Sequence, residues 1–275
     1  MKIAGSKILI TGAASGIGRS LARTMSRQGG RMFLTDINAK GLAEVADELR
    51  AAGGEVCLAE PADVSDYAAM QKLAARVHEG FGALDVLVNN AGIAIFAAPE
   101  DFSHDQWTRI INVNLWGVIH GVECFLPEMV KARQGHVVNI ASAAGLMGVP
   151  WQAAYSTTKF AVAGLSEVLR YDLARHNIHV TLVCPGFVNT GLVDTVEIEG
   201  DAKKIARQKK VMQKLAITPE KVADQIVAAV KKNKYKVITS PDIKLLYFMR
   251  NHGGAAYNAI MRLTSKYMEK NLGKG

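Results

Sequence analysis

Thr11-Gly12-Ala13-Ala14-Ser15-Gly16-Ile17-Gly18 follows a short apolar run, Lys7–Thr11, and leads into a stretch of helical periodicity over residues 17–29. Three glycines at this spacing, between a strand and a helix, read as a dinucleotide-binding turn. Gly12 permits the tight turn, Gly16 lets the backbone approach a pyrophosphate, and Gly18 lets the helix pack closely on the strand. Ser15 and Ile17 lie where the first turn of the helix offers unpaired N–H groups and the positive end of its dipole to an anion. An ordinary glycine turn is the bland alternative, and the strand-then-helix context weighs against it.

Outward from this turn, short apolar runs alternate with amphipathic stretches. Strands are expected at Lys7–Thr11, Arg31–Thr35, Glu55–Ala59, Leu84–Val88, His136–Ala141, His179–Val183 and Lys236–Thr239. Several are nearly continuous in Val, Ile and Leu, as strands are when both faces of a parallel sheet are covered. Helices are expected over about 17–29, 39–52, 66–80, 103–132, 152–176 and 219–232. This alternation predicts an α/β fold: a single doubly wound, Rossmann-type domain over 1–240 with a mainly parallel seven-stranded sheet. Residues 241–275 read as a short helical C-terminal extension, in two pieces with a bend at Gly253–Gly254.

Composition narrows the function classes. The chain is 49% apolar and 21% charged, which excludes a disordered or collagen-like chain. Cys57, Cys124 and Cys184 are far apart and odd in number, which disfavours a disulfide framework and a metal knuckle and suits a reducing, cytoplasmic setting. No metal site is expected. No uninterrupted apolar run of about 18 residues is present to predict a spanning helix, and Met1–Ile10 is too short for a signal peptide. The net charge of +8 is unevenly spread: residues 231–275 hold ten Lys/Arg and two Asp/Glu, leaving 23 of each sign elsewhere. A neutral body without a basic stripe argues against nucleic acid as a partner.

Asp36 ends the second expected strand. A carboxylate there can accept hydrogen bonds from the adenosine ribose hydroxyls and would repel a 2′-phosphate. Ala13, Ala14 and Ser15 bring no cation to offset that repulsion, so NAD is expected over NADP. A solvated turn residue is the competing reading of Asp36.

Further along, Asn89-Asn90-Ala91-Gly92 follows the fourth strand, Asn114 lies in a long helix, and Ser142 follows the fifth strand. Tyr155 and Lys159 form Y-x-x-x-K, and Pro185-Gly186 with Thr190 follow the sixth strand. With the glycine turn, this ordered set resembles the short-chain dehydrogenase/reductase family over about residues 5–240. Tyr155 and Lys159, four apart, share one helix face. A free tyrosine, with a pKa of ~10, is a poor base at neutral pH. A nearby ammonium and a cationic nicotinamide ring are expected to favour its phenolate. Tyr155 then suits a general acid/base, and Ser142 suits a hydrogen bond to the substrate oxygen. Taken singly, each of these residues also has a structural use: a surface Tyr–Lys pair, a turn cap, an amide satisfying buried backbone.

The resemblance implies more. It assigns Lys159 to the nicotinamide ribose and Asn114 to a proton relay. It places Asp63 and Val64 at the adenine, Asn90, Ala91 and Gly92 along the adenosine and ribose, and Pro185, Gly186, Val188 and Thr190 around the carboxamide. It also implies a homodimer or homotetramer built from the helices at 103–132 and 152–176. Residues 191–217 correspond to a substrate lid, basic here through Lys203, Lys204, Arg207, Lys209, Lys210 and Lys214. Ile95, Met147, Gln152 and Phe187 are expected near the substrate with Ser142 and Tyr155. They are apolar except Gln152, which suits a lipophilic secondary alcohol or ketone of steroid, retinoid or aliphatic type. A 3-oxoacyl thioester meeting the basic lid is the alternative substrate, and a catalytically silent nucleotide sensor on the same fold is the alternative class. The basic tail combines apolar and cationic residues, as a peripheral membrane contact would. Gly253–Gly254 interrupts its amphipathic face, and docking onto the body is the favoured expectation.

Overall fold

The computed structural model describes residues 1–189, 196–198 and 202–272. Its strands are β1 (Lys7–Thr11), β2 (Arg31–Thr35), β3 (Val56–Ala59), β4 (Val86–Asn89), β5 (Ile95–Phe96), β6 (Gly135–Ile140), β7 (Ile178–Cys184), β8 (Glu197–Ile198) and β9 (Lys236–Ile238). Seven of them form one sheet in the order β3-β2-β1-β4-β6-β7-β9. Every neighbouring pair is parallel. The strand order reverses between β1 and β4, and the crevice at their carboxyl ends is where open α/β sheets take ligands.

The helices are α1 (Gly16–Ser26), α2 (Ala39–Ala51), α3 (Tyr67–Phe81), α4 (His104–Ile111), α5 (Gly117–Ala132), α6 (Ala153–Asp172), α7 (Ala202–Leu215), α8 (Pro219–Lys231), α9 (Pro241–His252) and α10 (Gly254–Leu272). Alternate residues of β1 feed opposite cores, because successive side chains point to opposite faces. Ile8 and Ile10 pack with Leu21, Met25, Leu42, Val45, Val222 and Ile226 from α1, α2 and α8. Leu9 packs with Met70, Leu73, Val77, Phe125 and Met129 from α3 and α5. Side-chain caps set several helix starts: Asn38 for α2, Asp66 for α3, Ser103 in a capping box with Gln106 for α4, and Thr218 for α8.

Two features depart from the periodicity. The stretch expected as one helix over 103–132 is divided by a π-helical turn at Asn112–Trp116. By length and composition His104–Ala132 passes as a bilayer-crossing helix. Here the π turn divides it, and Ile110, Val118, Phe125 and Met129 are buried in the core. Two residues on each side, β5 and β8, make a small separate parallel sheet within a region that carried no strand signal. The extension is two helices meeting at Gly253, as its glycines suggested.

Candidate active site

Thr11 stitches the switch point together. Its hydroxyl oxygen accepts from Asn90 N at 2.9 Å and Ala91 N at 3.0 Å. The Asn90 side-chain amide donates to Thr11 O at 2.9 Å and Gly12 O at 3.1 Å. The turns after β1 and β4 are thereby one unit. Gly12 has φ +66°, and a Cβ on it would stand 2.8 Å from Ala91 Cα. A Cβ on Gly18 would stand 2.1 Å from Gly12 O, which explains the requirement for glycine at the strand–helix contact. The sequence pattern gave Thr11 no role, although a threonine at the last strand position is its visible signal.

The surroundings fit a dinucleotide. Ser15 caps α1 without a side-chain hydrogen bond, and no acid occupies the first turn. The helix end therefore keeps its donors and positive dipole for an anion. Asp36 is half-buried; its carboxylate accepts from Ala14 N and Asn38 N, both at 2.9 Å. Asp63 closes a turn on itself, accepting from the Ser65 N–H and hydroxyl. Val64 is buried, and its carbonyl oxygen lies 2.8 Å from His120 Nδ1. Gly92 lines the same side: a Cβ on it would stand 3.1 Å from Asn114 Oδ1 and 3.6 Å from Lys159 Nζ.

Tyr155 and Lys159 project from the first half of α6 and are almost fully buried. Lys159 Nζ donates to Ile140 O at 3.0 Å and lies 5.7 Å from the Tyr155 ring centre. Burial pushes the Lys159 ammonium down to about 8. Burial also raises the Tyr155 phenol, and a hydrogen bond with Ser142 opposes that rise. The sequence reading expected a lowered phenol. In the chain without coenzyme, desolvation is the larger effect on the phenol, and the expected lowering would have to come with the bound nicotinamide.

Ser142 leaves β6 in extended conformation, and its hydroxyl oxygen accepts from Ala144 N at 3.1 Å. That bond starts the short turn Ala143–Gly145. Asn114 is fully buried in the π turn. Its Oδ1 accepts from Ile93 N at 2.8 Å, and its Nδ2 donates to Ile93 O at 2.9 Å and Thr158 Oγ1 at 3.3 Å. The side chain thus clamps the loop after β4 to α6. After β7, Pro185 O accepts from Ala143 N at 2.7 Å, and Gly186 N donates to Thr239 Oγ1 at 3.4 Å. Val188 is buried and bridges Ile217, while Phe187 is 40% exposed. Thr190 lies outside the described residues.

The expected substrate neighbours separate into two groups. Ile95, with Phe96, Ala144, Val196 and Met212, shares a cluster with Tyr155. Phe96 meets the Tyr155 ring edge-on at 6.1 Å. Met147 instead packs with Leu146, Val162, Leu182 and Cys184. Gln152 is buried at the start of α6. Its neighbour Trp151 has φ +69°, a costly conformation for a bulky residue, and accepts from Ala97 N at 3.0 Å. Local sequence carries no sign of that strain.

Comparison with known proteins agrees with this arrangement. Residues 6–201 match the family described as short chain dehydrogenase. The chain is similar to D-beta-hydroxybutyrate dehydrogenase of Rhizobium meliloti, at 34% identity over 220 residues, 80% of this chain and 81% of that protein. It resembles the crystal structure of a short chain dehydrogenase/reductase from Burkholderia phymatum in complex with NAD, with TM-score 0.84, 33% identity, and coverage of 91% and 94%. A metagenomic short-chain oxidoreductase in complex with NADP gives TM-score 0.71 at 30% identity, covering 87% of this chain and 99% of that one. Motif order, strand order and these matches converge: the chain belongs to the short-chain dehydrogenase family of oxidoreductases.

Proposed function

We propose that the protein oxidises a lipophilic secondary alcohol, or reduces the matching ketone, with a nicotinamide coenzyme, preferring NAD. One observation carries the reading: a buried tyrosine hydrogen-bonded to Ser142 sits beside a buried lysine, at the carboxyl edge of the sheet. When bound, the nicotinamide accepts or supplies the hydride. The remaining work falls to this chain. Ser142 hydrogen-bonds the substrate oxygen and stabilises charge there. Tyr155 takes the hydroxyl proton during oxidation and returns it during reduction. Lys159 keeps a positive charge close to the phenol, and Asn114 fixes the loop that faces α6.

The glycine turn and the free end of α1 would hold the pyrophosphate, and Asp36 the adenosine ribose. Arg19 and Arg23, the cations next after the glycine turn, are both paired with Glu48, which holds that carboxyl at about 2. Both are already directed to a carboxylate rather than to a 2′-phosphate, which supports NAD. The apolar cluster around Tyr155 supports a lipophilic substrate. The related hydroxybutyrate dehydrogenase acts on a hydroxy acid, whereas Ala143–Gln152 here contains no Lys or Arg to clamp a carboxylate.

Tyr155→Phe tests the proposal. It is expected to keep the NAD affinity of the parent and to lose at least about a hundredfold in turnover on an alcohol panel. Near-parental turnover in this variant would refute the assignment. A parent that binds NAD and oxidises nothing across steroids, retinoids, aliphatic alcohols and acyl thioesters would favour the sensor.

A further inference from the structure

The basic tail is expected from sequence to dock on the body with its cations solvated, yet one of those cations points inward. Arg250 Nη1 donates to Leu146 O in the loop that follows Ser142. Its guanidinium also lies over the Phe160 ring at 5.4 Å, next along α6 from Lys159. Around it, Ile243, Leu246, Tyr247 and Tyr257 pack with Leu146, Met147 and Cys184. Ile243 also reaches the turn after β7, where a Cβ on Gly186 would stand 3.0 Å from it. At the far end of α10, Met268 and Leu272 are buried, and the Tyr267 hydroxyl donates to Gln208 Oε1 at 3.2 Å on α7. Met212, one turn further along α7, belongs to the Tyr155 cluster.

The helices α9 and α10 therefore touch both the loop 143–152, whose Ala144 and Val149 pack with Tyr155, and helix α7, whose Met212 belongs to the same cluster. We infer that Arg250 is a positioning residue for the loop 143–152, and that the two helices set how closely this loop and α7 enclose the alcohol. This rests on the reading that the alcohol binds beside Tyr155. The chemistry suits a latch. A guanidinium bonded to a loop carbonyl and stacked on an aromatic ring restrains the loop through two different interactions, and each depends on the other's geometry. The loop needs such a restraint, since Trp151 holds a strained backbone within it and Gly148 projects into open space. Arg250 touches neither the reacting atoms nor the glycine turn, so its loss should reach binding of the alcohol before it reaches the chemistry.

The test compares Arg250→Ala and Arg250→Lys with the parent, in full-length protein with NAD. Arg250→Ala is expected to raise KM for a bulky secondary alcohol about tenfold, the cost of one charge-assisted hydrogen bond. Its kcat should stay within about twofold, and NAD affinity should be unchanged. Arg250→Lys, which keeps a donor and loses the planar stack, should fall between. Amide hydrogen exchange over residues 143–152 should quicken in the same order. Parental KM and exchange in Arg250→Ala would overturn the inference. Faster exchange with unchanged KM would also overturn it, by reducing Arg250 to a structural contact. Exchange needs no turnover. A parent inactive on all alcohols would sink the proposed function, while unchanged exchange over residues 143–152 in Arg250→Ala would by itself sink the latch.

Discussion

Lys159 shows how far a site can work against its own fold. Its ammonium has an ordinary value of 10.5 and is held at about 8 by burial. Below pH 8 the lysine is protonated in both folded and unfolded chains, and the full cost of burying the charge is present. Between about 8 and 10.5 the folded chain releases the proton first, so that cost fades as pH rises. Lys159→Met is therefore expected to stabilise the coenzyme-free protein at pH 7 by about 2 kcal/mol, after allowing for the lost bond to Ile140 O. The gain should nearly vanish at pH 9.5, and turnover should be lost at both. Urea unfolding at the two pH values decides this; an equal gain at both would show that the charge is not what burial penalises. Asp36 acts at the same scale. Asp36→Ala combined with Ile37→Arg removes a repulsive carboxylate and adds a phosphate partner at an exposed position. Coenzyme-saturation kinetics should then shift toward NADP, and a parent that already prefers NADP would contradict the role given to Asp36.

At the scale of elements, close approach between helix and sheet depends on where a side chain is missing. A Cβ on Gly121 would stand 2.1 Å from Asn89 Oδ1, in a buried network where Asn89 donates to Asn139 and Asn139 to Ser166. Gly80, near the end of α3, faces open space. Gly121→Ala is expected to cost about 2 kcal/mol by overpacking, whereas Gly80→Ala should gain up to about 1 kcal/mol through helix propensity. Denaturation midpoints of the pair test this, and matched effects would mean that α5 is free to shift. The two glycines look alike in sequence, each inside a helical stretch. The main strands were legible because most are apolar-rich stretches of four to seven residues, and their ends moved by only one or two positions. β5 and β8 were not, since two residues carry no period. The π turn was also hidden, because it follows from Asn114 reaching across to Ile93.

For the whole molecule, the long helices present a face that the sheet does not cover. Trp116, Val168 and Tyr171 are exposed at 46%, 58% and 63%, beside half-buried Leu115, Val122, Leu165 and Leu169. A two-fold partner would cover both helices at once. We expect light scattering at micromolar concentration to give a dimer or tetramer, and the combined substitutions Val168→Glu and Tyr171→Glu to shift it toward monomer. A monomeric parent would count against this pairing.

The chain's local chemistry was enough for the alternation of strands and helices, the glycine turn, and Tyr155 and Lys159 on one helix face. Each of these depends on spacing within a few residues, and periodicity and steric freedom act at that range. Only the tertiary structure decided which partners those residues meet. It joined Thr11 to Asn90, turned the Asn114 amide onto Ile93, buried the Tyr155 phenol against Ser142, and bent a tail arginine back onto Leu146. Desolvation and long-range hydrogen bonds depend on what lies across the fold, and residues as far apart as Leu146 and Arg250 carry no mark of each other until the chain has closed.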